Sequence, residues 1–120
     1  MEVDAIPGIV ECAVSLRNVI DTLYVLNGKW KLPVILSLMQ SSKRFNEIQN
    51  DLGGISSKIL AKELKHLELN SFITRNVYPT APVTILYEVT EYSRTLQNVM
   101  KELSEWGEQH REKIKQSMGK

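Results

Sequence analysis

Apolar residues recur along this chain with two different periods, and the switch between them marks out its elements. Over residues 9–26, Leu16, Val19, Ile20, Leu23 and Leu26 fall at helical spacing. Asn27-Gly28 follows, a pair that tolerates the left-handed conformation ending a helix. The pattern predicts a second helix over residues 30–40, with Pro33 in its first turn, where a missing N–H costs little. Ser41-Ser42 breaks it. A short helix over residues 44–52 sets Phe45, Ile48 and Leu52 on one face and ends at Gly53-Gly54. Ser56 is a good N-cap for a fourth helix over residues 57–69, which buries Leu60, Leu64 and Leu67. Asn70 is expected to take the left-handed position after it.

Beyond residue 71 the pattern changes to that of strands. Residues 72–78 are rich in Phe, Ile, Thr, Val and Tyr. Pro79-Thr80-Ala81-Pro82 reads as a turn, since its prolines cannot donate to a ladder. Residues 83–90 form the second strand, with Val83, Ile85, Tyr87 and Val89 alternating. From Glu91 the helical period returns through Leu96, Val99, Met100, Leu103 and Trp106, and extends toward Ile114. The expected fold is mainly α with a small β-hairpin. Its third and fourth helices make a helix-turn-helix, and the hairpin after them makes the unit winged. A winged helix also serves as a protein-interaction module, so the fold alone leaves both functions open.

A length of 120 residues with 42% apolar content allows one domain with a real core. It divides into an N-terminal helical segment at 1–28, a winged core at 29–90 and a C-terminal helix at 91–118. No apolar run approaches the ~20 residues of a membrane span. Residues 1–8 hold two acids and no base, so no secretory leader is expected. The single cysteine, Cys12, excludes an internal disulfide and suits a reducing cytoplasm.

The net charge of +1 conceals an uneven distribution. Residues 1–28 carry four acids against Arg17, whereas residues 29–66 carry seven Lys/Arg against three acids. A local basic patch, and not the total, is what neutralises phosphate. Enzyme chemistry is not expected. His66 and His110 are far apart and lack companions at metal-ligand spacing. Gly53-Gly54 is not followed by the Lys-Ser/Thr of a phosphate loop. No cofactor or metal is expected.

In order, Asn27-Gly28-Lys29-Trp30-Lys31, Lys43-Arg44-Phe45-Asn46-Glu47-Ile48, Gly54-Ile55-Ser56-Ser57-Lys58-Ile59-Leu60-Ala61-Lys62-Glu63-Leu64, Leu67-Glu68, Arg75, Tyr78-Pro79, Pro82, Tyr87, Thr90-Glu91, Leu96 and Trp106-Gly107 resemble the HxlR-type regulators. These are relatives of the MarR group of winged-helix transcription regulators. The resemblance implies a homodimer built by the first and last helices, a recognition helix in the major groove and a wing near the minor groove or backbone. It also implies control of nearby genes, often in response to aldehydes, quinones, oxidants or other small molecules. Two features depart from the family. Many members carry a Cys-Pro pair at a position that falls here near Leu16 or Arg17, while Cys12 lies about one turn earlier and precedes Ala13. Ser71 and Ser93 stand where the family usually has glycine.

Candidate roles follow. With Leu60, Leu64 and Leu67 facing the core, Ser57, Lys58, Ala61, Lys62 and Lys65 lie on the opposite face, and Ser56 opens the helix. Serine and lysine reach base edges or phosphate, and alanine lets the backbone approach. Lys43 and Arg44 open the preceding helix, whose free N–H groups suit a phosphate. Arg75 and Thr80 belong to the wing, with Arg75 either entering a minor groove or pairing with Glu88. Leu16, Val19, Ile20 and Leu23 of the first helix and Val99, Leu103 and Trp106 of the last are expected at the dimer interface. Trp30 reads as packing in the core or between helices, with the lining of an effector pocket as the alternative. Cys12 is either a redox thiol, favoured by its place near the start of the first helix, or an incidental or packed thiol, the preferred reading because its neighbour Glu11 disfavours the thiolate. The expected partners are double-stranded DNA bearing an imperfect palindrome, a second copy of the chain and a small-molecule effector, with no membrane.

Overall fold

The computed structural model describes residues 12–119. It contains, in chain order, α1 (Cys12–Val25), α2 (Lys31–Gln40), α3 (Phe45–Leu52), α4 (Ser57–Leu69), β1 (Ile73–Tyr78), β2 (Thr84–Val89), a 3₁₀ segment (Tyr92–Leu96) and α5 (Gln97–Met118). The fold is mainly helical with one two-stranded antiparallel hairpin, as the pattern of periods predicts.

The boundaries have local causes. Gly28 takes φ +88°, which turns the chain out of α1 and into α2. Ser56 caps α4: its Oγ accepts from the Ile59 N–H at 3.1 Å. Gly53 and Gly54 both have positive φ, giving the sharp turn between α3 and α4. At the far end of α4 the expectation for Asn70 is not met. Asn70 keeps φ −95°, and its side-chain amide donates to the His66 carbonyl at 2.9 Å. The left-handed position falls one residue later, on Ser71, at φ +67°. The last helix also starts later than expected from Glu91, because the 3₁₀ segment comes first.

The core lies where α2, α3 and α4 meet the base of the hairpin. Val34, Ile35, Leu38, Ile48, Ile55, Leu60, Leu64, Leu67, Phe72, Ile73 and Val89 are buried there, with Leu26 and Met100 at its margins. Phe45 and Trp30 are half-buried against this cluster. Lys29 places its ammonium 4.7 Å from the Trp30 ring centroid.

The hairpin register pairs Ile73 with Val89 at its base and Tyr78 with Thr84 near its tip. Lys43 adds a further rung: its N–H donates to the Tyr87 carbonyl at 3.0 Å, and the Tyr87 N–H donates back at 2.8 Å. The segment entering α3 is therefore tied to β2, which fixes the wing beside the helix-turn-helix. The two serines that depart from the family meet at the wing base. Ser93 is fully buried and its hydroxyl donates to the Phe72 carbonyl, while Thr90 Oγ1 donates to the Ser71 carbonyl at 2.7 Å.

Both terminal helices leave apolar faces uncovered. Leu16, Val19, Ile20 and Leu23 of α1 are each more than half exposed, and of that series only Leu26, just past the helix, reaches the core. On α5 only Met100 is buried. Val99, Leu103 and Trp106 are exposed, and Trp106 stacks on His110 with ring centroids 4.9 Å apart.

Candidate nucleic-acid interface

The exposed side of α4 is the centre of the candidate interface. Its three buried leucines turn one face inward, and the helical period then directs Ser57, Lys58, Ala61, Lys62 and Lys65 outward. All five are exposed. Among the described residues none of the three lysines enters an ion pair, so their charge is available to a partner.

The roll of α4 is held by two polar contacts that periodicity does not reveal. Lys31, at the start of α2, is 7% exposed, and its ammonium meets Glu63 Oε1 at 2.6 Å. This ion pair ties the middle of α4 to α2. Gln49 of α3 donates from Nε2 to the Ile55 carbonyl and to Ser57 Oγ, each at 3.1 Å, bridging the turn to the first residue of α4. No sequence signal pointed to Lys31, Glu63 or Gln49, because each partner lies on another element.

Lys43 and Arg44 are separated by the structure. Lys43 turns inward: its ammonium donates to the Ser37 carbonyl at 2.7 Å, to Ser37 Oγ and Gln40 Oε1 at 3.1 Å, and to Asp51 Oδ2. Four acceptors engage this cation, so it closes the end of α2 onto α3. The hydrogen bond from Lys43, followed by one from Ser37, holds the Asp51 carboxyl below its ordinary range. Arg44 stays exposed, and Glu47 Oε1 accepts its backbone N–H at 2.8 Å, which supports the start of α3.

A cleft of about 640 Å³ opens between the start of α3 and the wing, and both Arg44 and Thr80 line it. Thr80 is less free than its exposure implies. Its hydroxyl donates to the Pro82 carbonyl at 2.6 Å, so in the 2.8 Å contact with Thr84 the Thr84 hydroxyl must donate. Arg75 is exposed on β1 and faces Tyr87 across the ladder. It is not paired with Glu88, which lies opposite Thr74 and accepts from Ser42 Oγ at 2.9 Å and from Asn76 Nδ2 at 3.3 Å. The register thus leaves Arg75 without an ionic partner among the described residues. Cys12 opens α1, but its side chain lies outside what is described.

Among the described residues no group of three or more His, Cys, Asp or Glu could hold a metal ion, and no helix is long and apolar enough to cross a membrane. The arrangement offers a solvent-facing cationic helix, an arginine at the mouth of a cleft and an arginine on a projecting hairpin.

Comparison with known proteins bears on what such a surface serves. The chain is 36% identical over 93 residues to YdeP of Bacillus subtilis (strain 168), an uncharacterized HTH-type transcriptional regulator, covering 78% of this chain and 73% of that one. It is 40% identical over 85 residues to the HTH-type transcriptional regulator YodB of the same organism, covering 71% and 76%. The diamide-treated structure of YodB superposes with a TM-score of 0.65 at 37% identity, covering 77% of this chain and 91% of that one. The redox regulator HypR in its reduced form gives a TM-score of 0.76 at 34% identity, covering 82% and 97%. Its oxidised form gives 0.73 at 35%, covering 77% and 95%. The HxlR-like helix-turn-helix profile matches residues 25–115, from the end of α1 through most of α5 and across the whole basic surface. The chain therefore belongs to the HxlR-like helix-turn-helix family.

Proposed function

We propose that this protein is a homodimeric, sequence-specific transcription regulator of double-stranded DNA. The observation that carries the reading is the α4 face where Ser57, Lys58, Ala61, Lys62 and Lys65 are exposed and the three lysines enter no ion pair among the described residues. In helix-turn-helix docking the first turn of the second helix approaches base edges. Ser56, Ser57 and Lys58 occupy that turn or its cap. Lys62 and Lys65 lie farther along and suit phosphates. Arg44 lines the cleft shared with the wing, and Arg75 has the length to enter a narrow minor groove. Lys43 stays in its internal network and supports α3.

The uncovered faces of α1 and α5 support assembly with a second copy. A helix carrying so wide an apolar stripe is stable in water when a partner covers it. A closed two-fold dimer would set two α4 helices about 34 Å apart in successive major grooves, and its operator would be an imperfect palindrome. An effector acts only if it favours one spacing of those helices over another. HypR is a redox regulator, and one YodB structure is diamide-treated, so an oxidant is the first effector class to try.

Fluorescence anisotropy against a salt series tests the DNA reading. Duplex binding should weaken steeply as salt rises, with a plot of log K against log salt whose slope reports the phosphates contacted. Salt-insensitive binding, or none, overturns it. For Cys12, diamide would take two electrons and two protons from two thiols, leaving a disulfide between protomers. A non-reducing gel beside a DNA titration, with Cys12→Ser as control, decides whether that bond forms and matters.

A further inference from the structure

We propose that Gln49 is a positioning residue that presents the Ser57 hydroxyl as a hydrogen-bond donor to the base under the first turn of α4, and so sets the preference for that base. The inference rests on the DNA-binding reading of the same helix.

The Ile55 carbonyl can only accept, so the end of the Gln49 amide facing it at 3.1 Å must be the nitrogen. That assignment fixes the second contact as well: the same nitrogen donates to Ser57 Oγ at 3.1 Å. Both amide hydrogens are then committed. Ser57 Oγ has one lone pair turned inward, while its own proton finds no acceptor among the described residues. It does not bond back onto a preceding carbonyl, the usual fate of a helical serine. A hydroxyl that already accepts is also a better donor. Ser57 is exposed on the groove-facing side, so this unspent proton points to the partner.

Base edges differ in how they meet such a donor. Guanine offers N7 and O6, and thymine offers O4, whereas cytosine presents only its amino donor in the major groove. A Ser57 hydroxyl biased toward donating favours guanine, adenine or thymine on the facing strand over cytosine, the one base without a major-groove acceptor. Donation from Gln49 occupies one of the two lone pairs of Ser57 Oγ and so biases the hydroxyl toward donating; without Gln49 both lone pairs are free to meet the cytosine amino group.

The experiment begins with enrichment of bound duplexes from a random pool by the wild-type protein. Affinities are then measured for the enriched sequence and its single-base variants, using wild type, Gln49→Met, Ser57→Ala and the double variant. Gln49→Met should lose about three- to tenfold of the discrimination against cytosine at one symmetry-related position. Ser57→Ala should lose it at the same position, and the double variant should match Ser57→Ala. Gln49→Ala, which removes the donor without setting a second acceptor against the Ile55 carbonyl, should show the same loss of discrimination. This variant keeps the test open if Gln49→Met fails to fold. An unchanged base profile in the folded Gln49 variants overturns the proposal. So does an affinity loss equal for all sequences, or one that adds to that of Ser57→Ala. If the wild-type protein enriches no sequence, it is the DNA-binding reading that fails, a result distinct from an enriched motif that Gln49 does not influence.

Discussion

At the scale of single residues, two side chains carry consequences beyond their immediate contacts. Ser71 holds φ +67°, where an L-residue is strained and glycine is not. Its backbone bonds, N–H to the Glu68 carbonyl and carbonyl from Thr90 Oγ1, do not need the side chain. Ser71→Gly should therefore raise stability by about 0.5 kcal/mol, net of the extra freedom glycine gives the unfolded chain. Ser71→Val, β-branched at the same φ, should lower it by more than about 1 kcal/mol. Urea melts of the two variants check the signs, and a destabilised glycine variant contradicts the account. Asp51 acts through pH. Hydrogen bonds from Lys43 and Ser37 lower its pKa, so the folded state takes up this proton less readily than the unfolded chain. Its contribution is complete above the ordinary carboxylate range and disappears as pH falls through the lowered value. The stability gap between wild type and Asp51→Asn should thus be widest near neutrality and close on acidification. A gap that widens in acid refutes the assignment.

At the scale of elements, α4 is both the proposed reader and a structural member. Its inward leucines anchor it, and Lys31–Glu63 locks its roll against α2. Removing one partner of a nearly buried pair leaves the other charge uncompensated, whereas removing both does not. Lys31→Met should cost about 3 kcal/mol, and Lys31→Met/Glu63→Leu clearly less. Thermal melts of the single and double variants form the cycle, and equal costs would show that the pair is not coupled. The outward face should behave in the opposite way. Lys58→Ala and Lys62→Ala should leave stability unchanged within about 0.5 kcal/mol. Each should flatten the salt dependence of DNA binding by about one unit where the lysine contacts phosphate. If the combined variant keeps full DNA affinity, α4 does not face the groove.

At the scale of the whole molecule, the chain extends to 65 × 40 × 22 Å, with the winged unit carrying nearly all of the core and α1 and α5 projecting apolar surface. This division is what the proposed dimer, joined through its terminal helices, requires. Trp106 is 62% exposed on the α5 stripe with Val99 and Leu103. Trp106→Asp should give monomer or aggregate by light scattering. With the two half-sites no longer linked, operator affinity should fall by about 100-fold or more. A well-folded dimer from this variant would place the interface elsewhere.

The sequence by itself determined the order and type of every described element but the 3₁₀ segment, because a helix or strand with one buried face must repeat its apolar residues at that element's period. It also singled out the outward face of α4, since burying Leu60, Leu64 and Leu67 leaves only one side for Ser57, Lys58, Ala61, Lys62 and Lys65. Gly28, Gly53-Gly54 and Ser56 marked the turns because backbone conformation and capping are local properties. Tertiary structure decided the rest. Lys43 and Arg44 are adjacent cations of equal promise in the chain, yet the approach of Asp51 and the end of α2 draws one inward and leaves the other in solvent. Register, set by the turn, placed Arg75 opposite Tyr87 and gave Glu88 to Ser42 and Asn76. Glu63 and Gln49 look like ordinary polar positions of amphipathic helices until Lys31 and Ser57 arrive from neighbouring elements. Periodicity records which side of an element is buried; which polar group meets which depends on how the elements pack, and that geometry exists only in the folded chain.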